Sequence, residues 1–159
     1  MLCFPTVWPL IVALVAQNRP LPPSELLRLG NVAADVCRAA EVAPIDGGAT
    51  RTAIELVAIG WHESRFNARV ERCIDQRGPS IGLFQLEGKF AIGPYTKQEL
   101  CESTEKQAER ALVVLRRYHT RATPTNMYSG YHNGELDTKS GREMAGILGQ
   151  LLRWVKLKP

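Results

Sequence analysis

Three histidines in 159 residues, four cysteines with no Cys-x-x-Cys pair and aromatics at only 7% leave little room for several kinds of chemistry. A structural or catalytic zinc needs His or Cys ligands at short, paired spacings. His62, His119 and His132 are scattered, so a metal site is not expected. No run of consecutive Lys or Arg exceeds two, and aromatics do not alternate with basic residues, which leaves a nucleic-acid surface unsupported. There is no internal repeat and no low-complexity tract. Alternating strand patterns are nearly missing. The uncharged stretch from Leu2 to Ala16, 15 residues, is too short for a comfortable membrane span.

What remains is an ordinary globular composition. Apolar residues are 45% and charged residues 23%, enough for one domain with a real core. The net charge of +4 leans towards anionic partners, with cell-wall polymers and nucleic acid fitting equally well on charge alone. Residues 1–16 have two readings. Trp8 to Ala16 resembles the apolar core of an export signal, with Leu14-Val15-Ala16 as a cleavage site. Yet no Lys or Arg follows Met1, and Pro5 and Pro9 interrupt the run, so a buried N-terminal arm is the alternative. Residues 17–23, with Pro20, Pro22 and Pro23, read as a stiff linker, and 24–159 as the domain. Cys37 falls on the apolar side of a helix, where a thiol usually packs. Cys73 and Cys101 either close a loop in an oxidising compartment or stay as two free thiols in a reducing one.

The periodicity predicts a mostly α single domain. Ser24 caps a first helix to about Val42, with Leu27, Val32, Val36, Cys37 and Ala40 inward. Asn67 to Pro79 is a polar excursion with at most a short hairpin between Phe66 and Pro79, and Ser80 to Leu86 is a short helix. A Gly-rich connection runs on to Tyr95. A long helix from Ser103 or Thr104 to about Arg121 turns Ala108, Ala111, Leu112 and Leu115 to the core. Pro124 to Tyr131 is another short helix. Ser140 to Glu143 reads as a capping box ahead of Met144, Ile147, Leu148, Leu151, Leu152 and Val155.

One helix carries the chemistry. With about 100° per residue from Ala49 to Ser64, Arg51, Glu55 and His62 share a narrow stripe, the natural solvent face. Ile54, Val57, Ala58 and Trp61 form a second face, and Leu56, Ile59 and Gly60 a third. Glu63 projects between Leu56 and Ile59. A helix apolar on two faces is largely buried, and a carboxylate there is costly unless paired or protonated. Burial raises a carboxyl pKa, which suits a general acid.

Glu63-Ser64, then Gly82-Leu83-Phe84-Gln85, then Tyr131-His132-Asn133-Gly134 form an ordered triplet. It resembles the active-site signature of the soluble lytic transglycosylases, of the lysozyme-like (goose-type) superfamily, and spans Ile54 to Gly134, roughly half the chain. The resemblance implies a small, mostly helical lysozyme-like fold that cleaves peptidoglycan glycan strands between N-acetylmuramic acid and N-acetylglucosamine. It implies Glu63 as the acid and then base, leaving 1,6-anhydromuramyl ends. Ser64, Gly82, Gln85 and Tyr131 would contact substrate or orient the acid, and no cofactor is implied. The family's Asn after the Tyr is His132 here, with Asn133 one step on, so either could supply that contact. Phe84 stands where the family usually has Met, and the 22-residue interval from Glu63 to Gln85 is a few longer than usual, around Glu71 to Arg77.

The implied setting is the periplasm or exterior of a bacterium, beside a trans-envelope machine, or a phage virion. A lysozyme of the same fold, with Asp75 or Glu87 as second carboxylate, is the nearest rival. A non-catalytic peptidoglycan-binding or virion structural protein is a third reading.

Overall fold

Nine consecutive residues, Thr52 to Gly60, have no exposed side chain, so the helix that contains them must be enclosed on every side. In the computed structural model, which describes residues 3–18, 20–45, 47–75, 78–121 and 123–156, this is α3 (Gly48–Ser64). Around it pack α1 (Phe4–Val15), α2 (Pro23–Val42), α7 (Thr104–Tyr118) and α9 (Lys139–Lys156). Short helices α4 (Ala68–Glu71), α5 (Gly88–Ile92) and α6 (Lys97–Cys101) fill the excursion between α3 and α7, and α8 (Pro124–Asn133) pairs with α9. The protein is mostly α and forms a single core, and among the described residues the strand content is one isolated bridge, Ile81 with Leu86.

The helix caps follow side-chain chemistry. Ser103 and Thr123 accept from the N–H groups of Lys106 and Asn126, starting α7 and α8. Thr96 and Glu99 form a reciprocal capping box on α6, a helix absent from the sequence reading. Two starts differ from expectation. Pro23 opens α2 at a position where the missing N–H costs nothing, so Ser24 lies inside the first turn. Thr138, not Ser140, accepts from the Gly141 N–H, and α9 therefore begins earlier than the Ser140 box implied.

Burial corrects three placements. Leu27 is 70% exposed rather than inward. Glu55, assigned to the solvent stripe, is buried at 3% exposure and paired with Arg51 at 2.9 Å, because α9 packs against α3 and Tyr128 of α8 lies near the carboxyl, neither of which periodicity alone can show. Its burial pushes the carboxyl pKa up, with Arg51 opposing. Cys37 is not a packed thiol but is bonded to Cys3, tying α1 to α2. The apolar N-terminal segment is thus helical, with Val7, Leu10, Ile11 and Leu14 buried in the core. No helix among the described residues is long and apolar enough to cross a membrane.

Candidate active site

The position of Glu63 is set by what happens just beyond it. Ser64 donates its hydroxyl to the Gly60 carbonyl at 2.9 Å and accepts from the Phe66 N–H at 3.2 Å. Arg65 turns left-handed at φ 54° and ends the helix. Gly60 lies where a Cβ would stand 2.9 Å from the Phe66 ring and 3.4 Å from that of Phe84. Its bare backbone lets both rings press against α3 one turn before the glutamate. The segment carrying Phe84 is thereby held beside Glu63.

That segment is a tight turn and not the short helix expected for Ser80 to Leu86. Ile81 and Leu86 exchange backbone hydrogen bonds of 2.9 and 3.0 Å across it. Inside, Gly82 has φ +68° and Gln85 φ +48°, values incompatible with a continuous right-handed helix. The fully buried Gln107 of α7 organises the turn. Its Oε1 accepts from the Leu83 N–H at 2.8 Å, and its Nε2 donates to the carbonyls of Leu100 (2.7 Å) and Glu71 (3.0 Å). A Cβ at residue 82 would fall 2.1 Å from the Gln107 amide, so the glycine answers to Gln107 rather than to a ligand. The Cys73–Cys101 bridge closes the loop that contains the turn. The hairpin allowed between Phe66 and Pro79 is replaced by α4, with Asn67 capping it, while Gln76 and Arg77 lie outside the described residues.

Tyr131 joins α8 to the same turn. Its hydroxyl donates to the Phe84 carbonyl at 3.0 Å. Loss of water around that hydroxyl, and then the charge of Glu63, hold its pKa well above the ordinary value. The result is an open cleft of about 420 Å³ whose lining includes Glu63, Gln85, Tyr131, His132 and Asn133, residues drawn from α3, the turn and α8. Gln85 donates to the Gly82 carbonyl at 2.8 Å, which fixes the side chain along the turn. Ser64 and Gly82 do not line the cleft; they shape the backbone behind it.

Glu63 has a side chain 10% exposed and lies between two imidazoles, with His62 Nδ1 and His132 Nδ1 each 3.4 Å from its Oε1. Of His132 and Asn133, it is His132 whose side chain stands beside Glu63. Asn133 instead turns to Glu135, accepting from its N–H and donating to its carboxylate, both at 3.1 Å. His62 reaches further, its Nε2 standing 3.2 Å from Glu143 of α9. Its bond to Glu63 pushes its pKa above the ordinary 6.5, with burial opposing and Glu143 reinforcing.

His62 was assigned to the solvent face and Glu143 to a capping box rather than to the site, because a stripe drawn on one helix cannot show that α9 returns to cover it. The rival carboxylates also separate. Asp75 is bound to Arg69 at 2.7 Å and does not line the cleft, whereas Glu87 does line it and accepts from the Ser80 hydroxyl at 3.3 Å. Among the described residues no group of three or more His, Cys, Asp or Glu side chains could hold a metal ion. No protein-family model, curated protein or solved structure matches this chain.

Proposed function

We propose that the protein is a peptidoglycan lytic transglycosylase that cleaves the β-1,4 bond between N-acetylmuramic acid and N-acetylglucosamine, with Glu63 as general acid and then general base. The observation that carries the reading is the convergence of Glu63, Gln85, Tyr131 and His132 on one cleft, although 68 residues separate the first from Tyr131. The Glu63 proton passes to the leaving glycosidic oxygen as the bond to C1 breaks and positive charge builds on the ring. The resulting carboxylate then takes the proton from the muramyl 6-hydroxyl as that oxygen closes on C1. No water is consumed, and Glu63 ends the cycle protonated as it began. His62 and His132 therefore owe no net proton to the reaction; they hold the carboxylate in place. A lysozyme-like architecture belongs to this proposal, as does a periplasmic or extracellular setting, or a phage virion, for which two disulfides are well suited.

Glu87 on the same cleft favours one second reading, hydrolysis with a second carboxylate activating water. Product ends separate the two. Mass spectrometry of digested glycan strands should show 1,6-anhydromuramyl ends, and Glu63→Gln should lower the rate by about 10²–10⁴. Reducing muramyl ends together with an inactive Glu87→Gln would replace the lyase by a lysozyme. A folded Glu63→Gln variant clearing cell walls within threefold of wild type would remove the glutamate from its role.

A further inference from the structure

The proton chemistry uses the α3 and α8 side of the cleft and leaves the wall supplied by α5 and α7 unexplained. That wall carries Arg117, the one Lys or Arg among the described lining residues. Its guanidinium lies 4.6 Å from the centre of the Phe90 ring and 5.8 Å from that of Tyr118. Its neighbours in sequence are engaged otherwise: Arg110 donates to the carbonyls of Ala91 and Phe90, Arg116 to that of Pro44, and Arg121 to those of Gly134 and Glu135. Arg117 makes no such bond to a described residue. A cation stacked on a ring keeps its in-plane N–H groups free, and those donors suit a carboxylate held two-pronged. The favourable end of a helix dipole accounts for an arginine in the last turn of α7, but not for its seat on a ring from α5.

Phe90 is a deliberate platform by the same measure. It is 47% exposed inside the cleft, and Arg110 pins the backbone there by donating to the carbonyls of Phe90 at 2.5 Å and Ala91 at 2.9 Å. Arg117 is the fixed cation among the described lining residues, so it is where an acidic ligand group meets an opposite charge.

We infer that Arg117 and Phe90 form a subsite that reads the carboxylate carried by the 3-O substituent of a muramic acid residue, with Phe90 packing the apolar atoms beside it. The inference rests on the glycan-cleaving reading above. The carboxylate has two sources: the lactyl group itself in peptide-free strands, or the stem peptide when the lactyl carboxyl is amidated by it.

The test is binding to Glu63→Gln protein, which leaves substrate uncleaved, against the same protein also carrying Arg117→Gln. Three probes are titrated: an N-acetylglucosamine oligomer, which is neutral; peptide-free N-acetylglucosamine–N-acetylmuramic acid oligomers; and the same strands bearing stem peptides. Arg117→Gln should weaken a carboxylate-bearing probe by roughly tenfold or more, as expected for a lost hydrogen bond to a charged group, and leave the neutral oligomer within twofold. Arg117→Lys, which keeps the charge but not the fork, should recover only part of the loss. A defect on the peptide-free strands assigns the lactyl carboxylate; a defect confined to stem-bearing strands assigns the peptide. Unchanged affinity for all three, or an equal loss on the neutral oligomer, overturns the subsite while leaving the glycan reading intact. If the parent protein binds none of the three, the glycan reading falls and the subsite with it.

Discussion

Replacing Gln107 by leucine probes the framework of the cleft without touching its lining. The side chains are of similar size, so packing is nearly conserved, but three backbone groups lose their partner. The Leu83 N–H and Leu100 carbonyl bonds are buried, and a buried polar group left unpaired costs about 1–3 kcal/mol. The Glu71 carbonyl bond is part-buried, so that carbonyl has access to water and adds less. The apolar gain of leucine offsets a fraction, which leaves a net loss of about 2–5 kcal/mol. For a domain of this size each kcal/mol moves the midpoint by about 2–4 °C, so the melting temperature should fall by roughly 4–20 °C. Circular dichroism melts of oxidised protein read this directly. Amide exchange supplies the local signature: the Leu83 N–H should lose protection more than amides in α9, because the turn is released before the helical core. A midpoint within 2 °C of wild type, with Leu83 still protected, would refute the claim that one glutamine organises the turn.

Two further outcomes follow from the same contacts. The raised pKa of His62 means that the folded protein binds its proton more tightly than the unfolded chain, so its stabilising contribution is complete below 6.5 and disappears as pH rises through the native value. The stability gap between wild type and His62→Gln should therefore be flat in acid and shrink above pH 6.5 in a series of denaturant titrations; a gap that widens with pH contradicts the bonding to Glu63 and Glu143. The Cys73–Cys101 bridge joins residues 28 apart, and the chain-entropy model assigns such a loop about 3–4 kcal/mol. The Cys73→Ser/Cys101→Ser double variant should melt on the order of 10 °C lower, and equal melting of both proteins without reductant would rule the bridge out as a clasp.

The helical content was legible in the sequence because it depends on periodicity and caps, which are local. The α7 stripe of Ala108, Ala111, Leu112 and Leu115 is buried as its spacing predicts, and Ser103 caps it. The segments that meet at the cleft could be named, and Glu63, Gln85, Tyr131 and His132 do meet there. What failed depended on distant parts of the chain. Glu55 looked exposed because nothing in its own helix shows that α9 packs against α3 or that Tyr128 of α8 comes near it. Ser64 and Gly82 drew attention as ligand contacts, but their hydroxyl and missing side chain serve the backbone and Gln107. Gln107 itself gave no local sign, since a polar residue in the first turns of a helix is ordinarily solvated. The turn at Gly82 to Gln85 resembled a helix because the positive φ of Gln85 has no reliable marker in residue type.

The bond between Cys3 and Cys37 makes the first helix a covalent part of the core on which it packs. Val7, Leu10, Ile11 and Leu14 fill a trough on the rest of the molecule, and burying each such side chain is worth about 1.5–3 kcal/mol. A cut after Ala16 made before that bond forms would leave the trough empty and Cys37 without its partner, whereas a cut made afterwards leaves the fragment tethered through the bridge. In an oxidising compartment an orphaned Cys37 has only foreign sulfur to pair with. Through this one bond, the order of oxidation and cleavage decides whether Cys37 is left to cross-link one copy to another.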